Sequence, residues 1–173
     1  SMTLKCIAGI ETPDRGRIVL DGVTLYDSEK KIDLPPQKRR VGYLFQQYAL
    51  FPNMTVQKNI AAGARGRADA AEAVRAAIAA MHLEDCAQKR PHQLSGGQQQ
   101  RTALARILVN EPRMLLLDEP FSALDSHLRF AMEQEVRGVI RKFGGTVLLV
   151  SHDRDEVFRL SDEIAVMYAG HVD

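Results

Sequence analysis

Apolar and polar positions along this chain follow two different rhythms. In the first, short unbroken apolar runs end in polar turns. Met114-Leu115-Leu116-Leu117 is bounded by Pro112 on one side and Asp118-Glu119-Pro120 on the other, which predicts a strand buried on both faces of a parallel sheet. Val41 to Phe45 and Thr146 to Val150 read as strands of the same kind, and Ile164 to Tyr168 as a last strand. In the second rhythm, apolar residues recur every three or four positions. Leu104, Ile107 and Leu108 stripe a helix expected from about Gly97 to Val109. Val74, Ile78 and Met81 stripe an Ala-rich helix over Ala68 to His82, and Leu128, Met132, Val136 and Ile140 stripe one from Ser126 to Lys142 that Gly144-Gly145 ends. Met2 to Ala8 is a further helix with Gly9 as its C-cap, and Asp153 with Glu156 caps one that reaches Leu160. Gly16 to Gly22 alternates and closes on Asp21-Gly22, an antiparallel strand and its turn. Strands alternating with helices predict an α/β fold built on a mostly parallel sheet.

The stretches between are informative mainly for what they exclude. Ser28 to Arg40 is polar, and its Lys38-Arg39-Arg40 run reads as a solvated loop with no ligand assigned to it. Tyr48, Leu50, Phe51, Pro52 and Met54 form an apolar cluster among loop signals, which either folds against the domain or serves as a docking patch. A net charge of +1 gives no electrostatic case for nucleic acid or an anionic membrane surface. No apolar run reaches the roughly 20 residues of a membrane-spanning helix. Cys6 and Cys86 form no metal-spaced pair, and a reducing, cytoplasmic setting is the simplest reading.

Two short runs carry the chemistry. Ser95 and Gln98 in Leu94-Ser95-Gly96-Gly97-Gln98 have the S-x-x-Q spacing of a capping box at the start of the predicted helix. Gly96 and Gly97 strip side chains from that helix start, so its free N–H groups and positive dipole end form a seat for phosphate. Asp118 and Glu119 sit where the buried strand ends, the edge at which ligands bind in open α/β sheets. Asp118 suits Mg²⁺, which takes a few carboxylate oxygens and retains water. Glu119 is then free to polarise an attacking water as general base.

With these residues in order, the chain resembles the ATP-binding subunit of ABC transporters. Gln46, in Val41-Gly42-Tyr43-Leu44-Phe45-Gln46, is similar to the Q-loop; Leu94 to Gln98 to the signature motif; and Leu115 to Glu119 to the Walker B strand with its catalytic glutamate. Ser122-Ala123-Leu124-Asp125 is similar to the D-loop, and His152 in Val150-Ser151-His152-Asp153 to the switch histidine. The resemblance implies a P-loop NTPase-like core over residues 1–54 and 111–173, a helical subdomain over about 55–110, and remnants of an antiparallel β subdomain. It implies ATP and Mg²⁺ as ligands, with Glu119, His152 and Gln46 in catalysis and Ser1, Gln46 and Asp118 toward the metal. Ser1, Met2, Ser95, Gly96, Gly97 and Gln98 would touch nucleotide, with Asp125 shaping the interface around it.

The family's phosphate loop, G-x-x-x-x-G-K-[ST], is absent from the sequence. In the register favoured by Ile7-Ala8-Gly9, Ser1 is the loop's last residue and ligates Mg²⁺; the alternative makes Ser1-Met2 a tag residue and an initiator. The expectation is a chain that binds ATP poorly by itself or forms part of a longer protein. The resemblance further implies a homodimer that sandwiches ATP, and permease subunits that dock near Tyr48 to Met54 at the cytoplasmic face of the cell membrane. Asp27 to Lys30 and Pro35 to Tyr43 look similar to molybdate-type oxyanion importers. A soluble ATPase of the same family, or a fragment unable to bind nucleotide, stands as the alternative.

Overall fold

A computed structural model describes residues 1–122, 124 and 126–172; Asp125 lies outside them. The chain opens with α1 (Met2–Ala8), ended by Gly9 in the left-handed region at φ 78°. The antiparallel pair β1 (Arg17–Leu20) and β2 (Val23–Asp27) follows, joined through Asp21-Gly22, with β3 (Ile32–Asp33) on the far side of β2. Then come β4 (Val41–Leu44), α2 (Val56–Gly63), α3 (Ala70–Ala80) and α4 (Gly96–Leu108). The chain continues through β5 (Met114–Asp118), α5 (Ser126–Phe143), β6 (Thr146–Val150) and α6 (Arg154–Leu160), and closes with β7 (Met167–Tyr168) and β8 (His171–Val172). The fold is α/β, a parallel sheet flanked by helices with a separate antiparallel sheet.

The parallel sheet has the order β4-β5-β6, and β5 is buried along its whole length. Side chains of a strand alternate between faces, so β5 feeds two cores. Met114 and Leu116 meet Leu4, Ala8 and Tyr43 beneath α1, whereas Leu117 meets Leu44, Ala103, Leu104, Met132 and Val136 beneath α4 and α5. A third core lies among the helices, where Val56, Ile60, Ala64, Val74, Ile78, Leu83, Leu94, Ala105 and Val109 close on one another. Helices α2 and α4 approach so tightly there that a Cβ at Gly63 would strike the carbonyl of Arg106.

Three expectations change. Arg39 is no solvated charge. It is 2% exposed, and its guanidinium donates to the carbonyls of Leu34, Cys6 and Ile7 and to Asp33 Oδ1. The last turn of α1 has carbonyls without helical partners, and a planar five-donor group satisfies several at once. Second, β6 is partly exposed: Thr146 and Leu148 on one face lie open, whereas β4 at the opposite edge of the sheet is mostly buried. Third, Ile164 to Val166 do not form a strand; only Met167 and Tyr168 pair, and with β8. Ala169 and Gly170 both adopt positive φ, which builds a local hairpin instead.

Candidate functional site

The parallel register brings the chemistry to one edge. Asp118 pairs with Val150, and Leu117 pairs with Leu44, so the residues after each strand emerge side by side. Every second residue of β5 faces α1, which places Asp118 on the same side as Leu116, Tyr43 and the start of α1. Ser1 Oγ donates to Asp118 Oδ1 at 2.6 Å, and Tyr43 Oη donates to Asp118 Oδ2 at 2.6 Å. Asp118 is 7% exposed, so these two donors stabilise its carboxylate where water has little access. Burial first, and the neighbouring Asp118 second, push the Tyr43 phenol well above its ordinary range, so it stays a donor at neutral pH. The hydroxyl and carboxylate oxygens of Ser1 and Asp118 are hard ligands of the kind Mg²⁺ prefers. Among the described residues no group of three His, Cys, Asp or Glu is placed to hold a metal, so a cation here depends on water and on the oxygens of a bound ligand.

Glu119 turns the chain sharply. Its φ is 46°, an uncommon conformation for a residue with a Cβ, and its N–H donates to the carbonyl of Val150 at 2.9 Å. Ser122 returns to the Glu119 carbonyl through both its N–H and its Oγ. The carboxylate thereby reaches His152, whose Nδ1 lies 3.3 Å from Glu119 Oε2. The imidazole is 72% exposed, open to a ligand approaching the sheet edge. Behind it, Asp153 caps α6 by accepting the N–H groups of Asp155 and Glu156, and Ser151 Oγ donates to Glu156 Oε2.

The helix with the glycine pair starts as its spacing predicts. Ser95 Oγ accepts the N–H of Gln98 at 3.3 Å, and Gln98 Oε1 accepts the N–H of Ser95 at 3.0 Å. Ser95 is exposed, Gly96 partly so and Gly97 buried. Farther along α4, Gln100 Nε2 donates to the carbonyl of Pro120, while its Oε1 has no partner among the described residues. Such an unpaired buried acceptor costs about 1–3 kcal/mol.

Of the sequence-predicted residues, Ser1, Asp118, Glu119 and His152 come together at one edge. Met2 starts α1 with an exposed side chain. Gln46 is exposed beyond β4 and hydrogen-bonds to none of these four. Ser95, Gly96 and Gly97 form a separate tip, exposed at Ser95 and buried at Gly97. Asp125 lies outside the described residues. Tyr43 was missed: its hydroxyl is the one polar tip in an apolar run, and only the pairing of β4 with β5 reveals its partner. The apolar loop cluster divides, with Tyr48 buried at 4% exposure and Phe51 exposed at 45%. Arg106 of α4 holds this loop by donating to the carbonyls of Tyr48 and Ala49, with its guanidinium 5.3 Å from the Phe51 ring.

The family described as ABC transporter matches residues 1–122. The chain is 48% identical over 174 residues to the spermidine/putrescine import ATP-binding protein PotA of Lawsonia intracellularis (strain PHE/MN1-00), covering 98% of this chain and 46% of that protein. It is 47% identical to PotA of Escherichia coli (strain K12), covering 98% of this chain and 44% of that protein. The chain thus spans less than half the length of these relatives. A solved dimeric structure of a post-hydrolysis state of the ATP-binding cassette MJ0796, bound to ADP and Pi, superposes with a TM-score of 0.79 at 30% identity over 99% of this chain and 77% of that one. A match over residues 1–122 exceeds half the chain, and the fold and the order of the motifs agree with it: the chain belongs to the ABC transporter family.

Proposed function

We propose that this chain is the ATP-hydrolysing part of an importer's ATP-binding subunit. The observation that carries this reading is the cluster at the sheet edge, where Ser1 meets Asp118 at 2.6 Å and Glu119 meets His152 at 3.3 Å. Ser1 and Asp118 would hold Mg²⁺ toward the phosphate oxygens of a bound nucleotide. The ion supplies charge neutralisation on those oxygens. Glu119 orients and deprotonates the attacking water, and His152 donates to the γ-phosphate as charge develops there. Gln46 stands beyond β4 where a nucleotide at this edge would approach it. Residues about 55–110 act as a helical subdomain.

The tip formed by Ser95, Gly96 and Gly97 does not touch its own chain's cluster. A second copy supplies the nucleotide that this tip holds, so two chains clamp two ATP molecules between them. The dimeric state of the similar solved cassette supports this arrangement. Loss of the γ-phosphate then removes the shared bridge, and the halves separate. Phe51, Pro52 and Met54 offer the patch on which permease subunits dock, with the protein held peripherally at the cytoplasmic face. No described helix is long and apolar enough to cross a membrane. For cargo, the relatives favour a polyamine: they are named spermidine/putrescine import proteins, and nothing in the comparisons supports the molybdate reading.

The test is ATP turnover by the full-length protein with Mg²⁺, with and without its permease, in vesicles loaded with spermidine or molybdate. Stimulation by spermidine alone is the expected result; turnover by a strict monomer would overturn the clamp. Ser95→Arg places bulk on the phosphate seat and is expected to abolish ATP-dependent dimerisation, read by light scattering.

A further inference from the structure

Gln100 is a fully buried polar side chain that takes no part in the chemistry above. It lies on the second turn of α4, with Nε2 3.2 Å from the carbonyl of Pro120 and Oε1 unpaired among the described residues. Pro120 directly follows Glu119, whose left-handed backbone must be held by its surroundings. The sheet holds that turn through the Val150 carbonyl, and Ser122 holds it from the downstream side. Gln100 is its tie to the helix. The same helix is fixed at its start by the Ser95–Gln98 box and by Thr102 Oγ, which donates to the Gln98 carbonyl at 2.7 Å.

We propose that Gln100 is a positioning residue that ties the Glu119–Pro120 turn to the signature helix, so that the carboxylate of one nucleotide site moves with the phosphate seat of the other. The proposal rests on the two-copy clamp, in which Glu119 and Ser95 of one chain serve different nucleotides. The bond from Gln100 to Pro120 is a direct link between them inside a single chain. The unpaired Oε1 argues for this role. An apolar side chain of the same shape would remove that stranded acceptor but strand the buried Pro120 carbonyl instead, so what the position requires of Gln100 is its donor. The donor is the part of Gln100 that the site uses.

The experiment replaces Gln100 in the full-length protein by methionine, which keeps the volume and removes both polar ends. Thermal midpoint, ATP affinity, kcat, KM and the Hill coefficient for ATP are measured together. The expected result is unchanged ATP affinity and a thermal midpoint lowered no further than one orphaned carbonyl accounts for, with kcat down about 10- to 100-fold as Glu119 loses its placement. The Hill coefficient falls toward unity. A second variant, Gln100→Glu, can donate to the Pro120 carbonyl only when its carboxyl is neutral. Its kcat should recover relative to the methionine variant as the pH falls from about 8 to about 6, because burial raises a carboxyl pKa. Parental kcat in the methionine variant overturns the proposal. So does a glutamate variant whose kcat gains nothing over the methionine variant as the pH falls, which assigns Gln100 to stability alone. A parent without cooperativity sinks the clamp instead; kcat and its pH profile still decide whether Gln100 places Glu119.

Discussion

The helical layer and the edge of the parallel sheet are built from the same chain on opposite principles. In the layer, apolar side chains of α2, α3 and α4 close on one another, and side chains at its margin tie the loops to it. Thr55 caps α2, and the buried Asn59 side chain bonds the backbone of Phe51, Met54 and Thr55. At the sheet edge, Glu119 sits in an uncommon backbone region, Gln100 keeps an unpaired acceptor, and His152 faces solvent. Stability concentrates where every local preference agrees with the fold. Uncommon backbone and unpaired polar atoms occur in both regions, at His82 and Arg101 as well as at Glu119 and Gln100; what sets the sheet edge apart is an ionisable pair, Glu119 and His152, standing at the surface.

The sharpest way to test that contrast is to remove chemistry without removing packing. Glu119→Gln in the full-length protein should lose about 10²- to 10⁴-fold in turnover while ATP binding persists, and its thermal midpoint should not fall. Near-normal turnover would take Glu119 out of the general-base role. The converse change, Ile60→Ala, acts on the closed layer. It should cost about 2–5 kcal/mol in denaturant unfolding, because a cavity opens in a fully buried cluster. A cost well below that range would mean the layer collapses easily and is less closed than its contacts indicate.

Tyr43→Phe lies between the two regimes, since it removes a hydroxyl from the site while leaving the ring in the core. The loss should be about 1.5–3 kcal/mol, the value of a hydrogen bond to a charged group, with Asp118 keeping only Ser1. Turnover should fall less than for Glu119→Gln.

The smallest effect belongs to Asp153. The N–H of Glu156 holds its carboxyl below the ordinary value against an opposing effect of burial, with the N–H of Asp155 and the charge of Arg129 adding to the depression. A depressed folded value means the cap contributes fully above the unfolded value of about 3.9 and is lost as pH falls through the folded one. Asp153→Ala should therefore lose less stability than its parent on acidification, read from thermal midpoints along a descending pH series.

Legibility in the sequence followed the range of the interaction. The capping box of Ser95 and Gln98 spans three residues, and α4 starts within one residue of its predicted position. The run Met114 to Leu117 is apolar throughout, and β5 is buried throughout. The edge status of β6 was not readable, because an apolar run reports what can be buried and not which neighbour is present. The burial of Arg39 was hidden for another reason. A charge in a basic run looks solvated unless the carbonyls it will cap are known, and those belong to residues 33 positions away for Cys6. The cargo was not readable at all, since the imported solute need not touch these residues.

The sequence by itself determined most of the elements and their order, the capped start of α4 and the pair of carboxylates after β5, because helix periodicity, strand burial and capping are set by neighbours within a few positions. Only the tertiary structure decided which distant side chains meet. Parallel pairing of β4, β5 and β6 put Tyr43 and Ser1 on Asp118, set His152 beside Glu119, and seated Gln100 under Pro120. Those contacts join residues as far as 117 positions apart, and the physical cause is the register of the sheet, which no local pattern records.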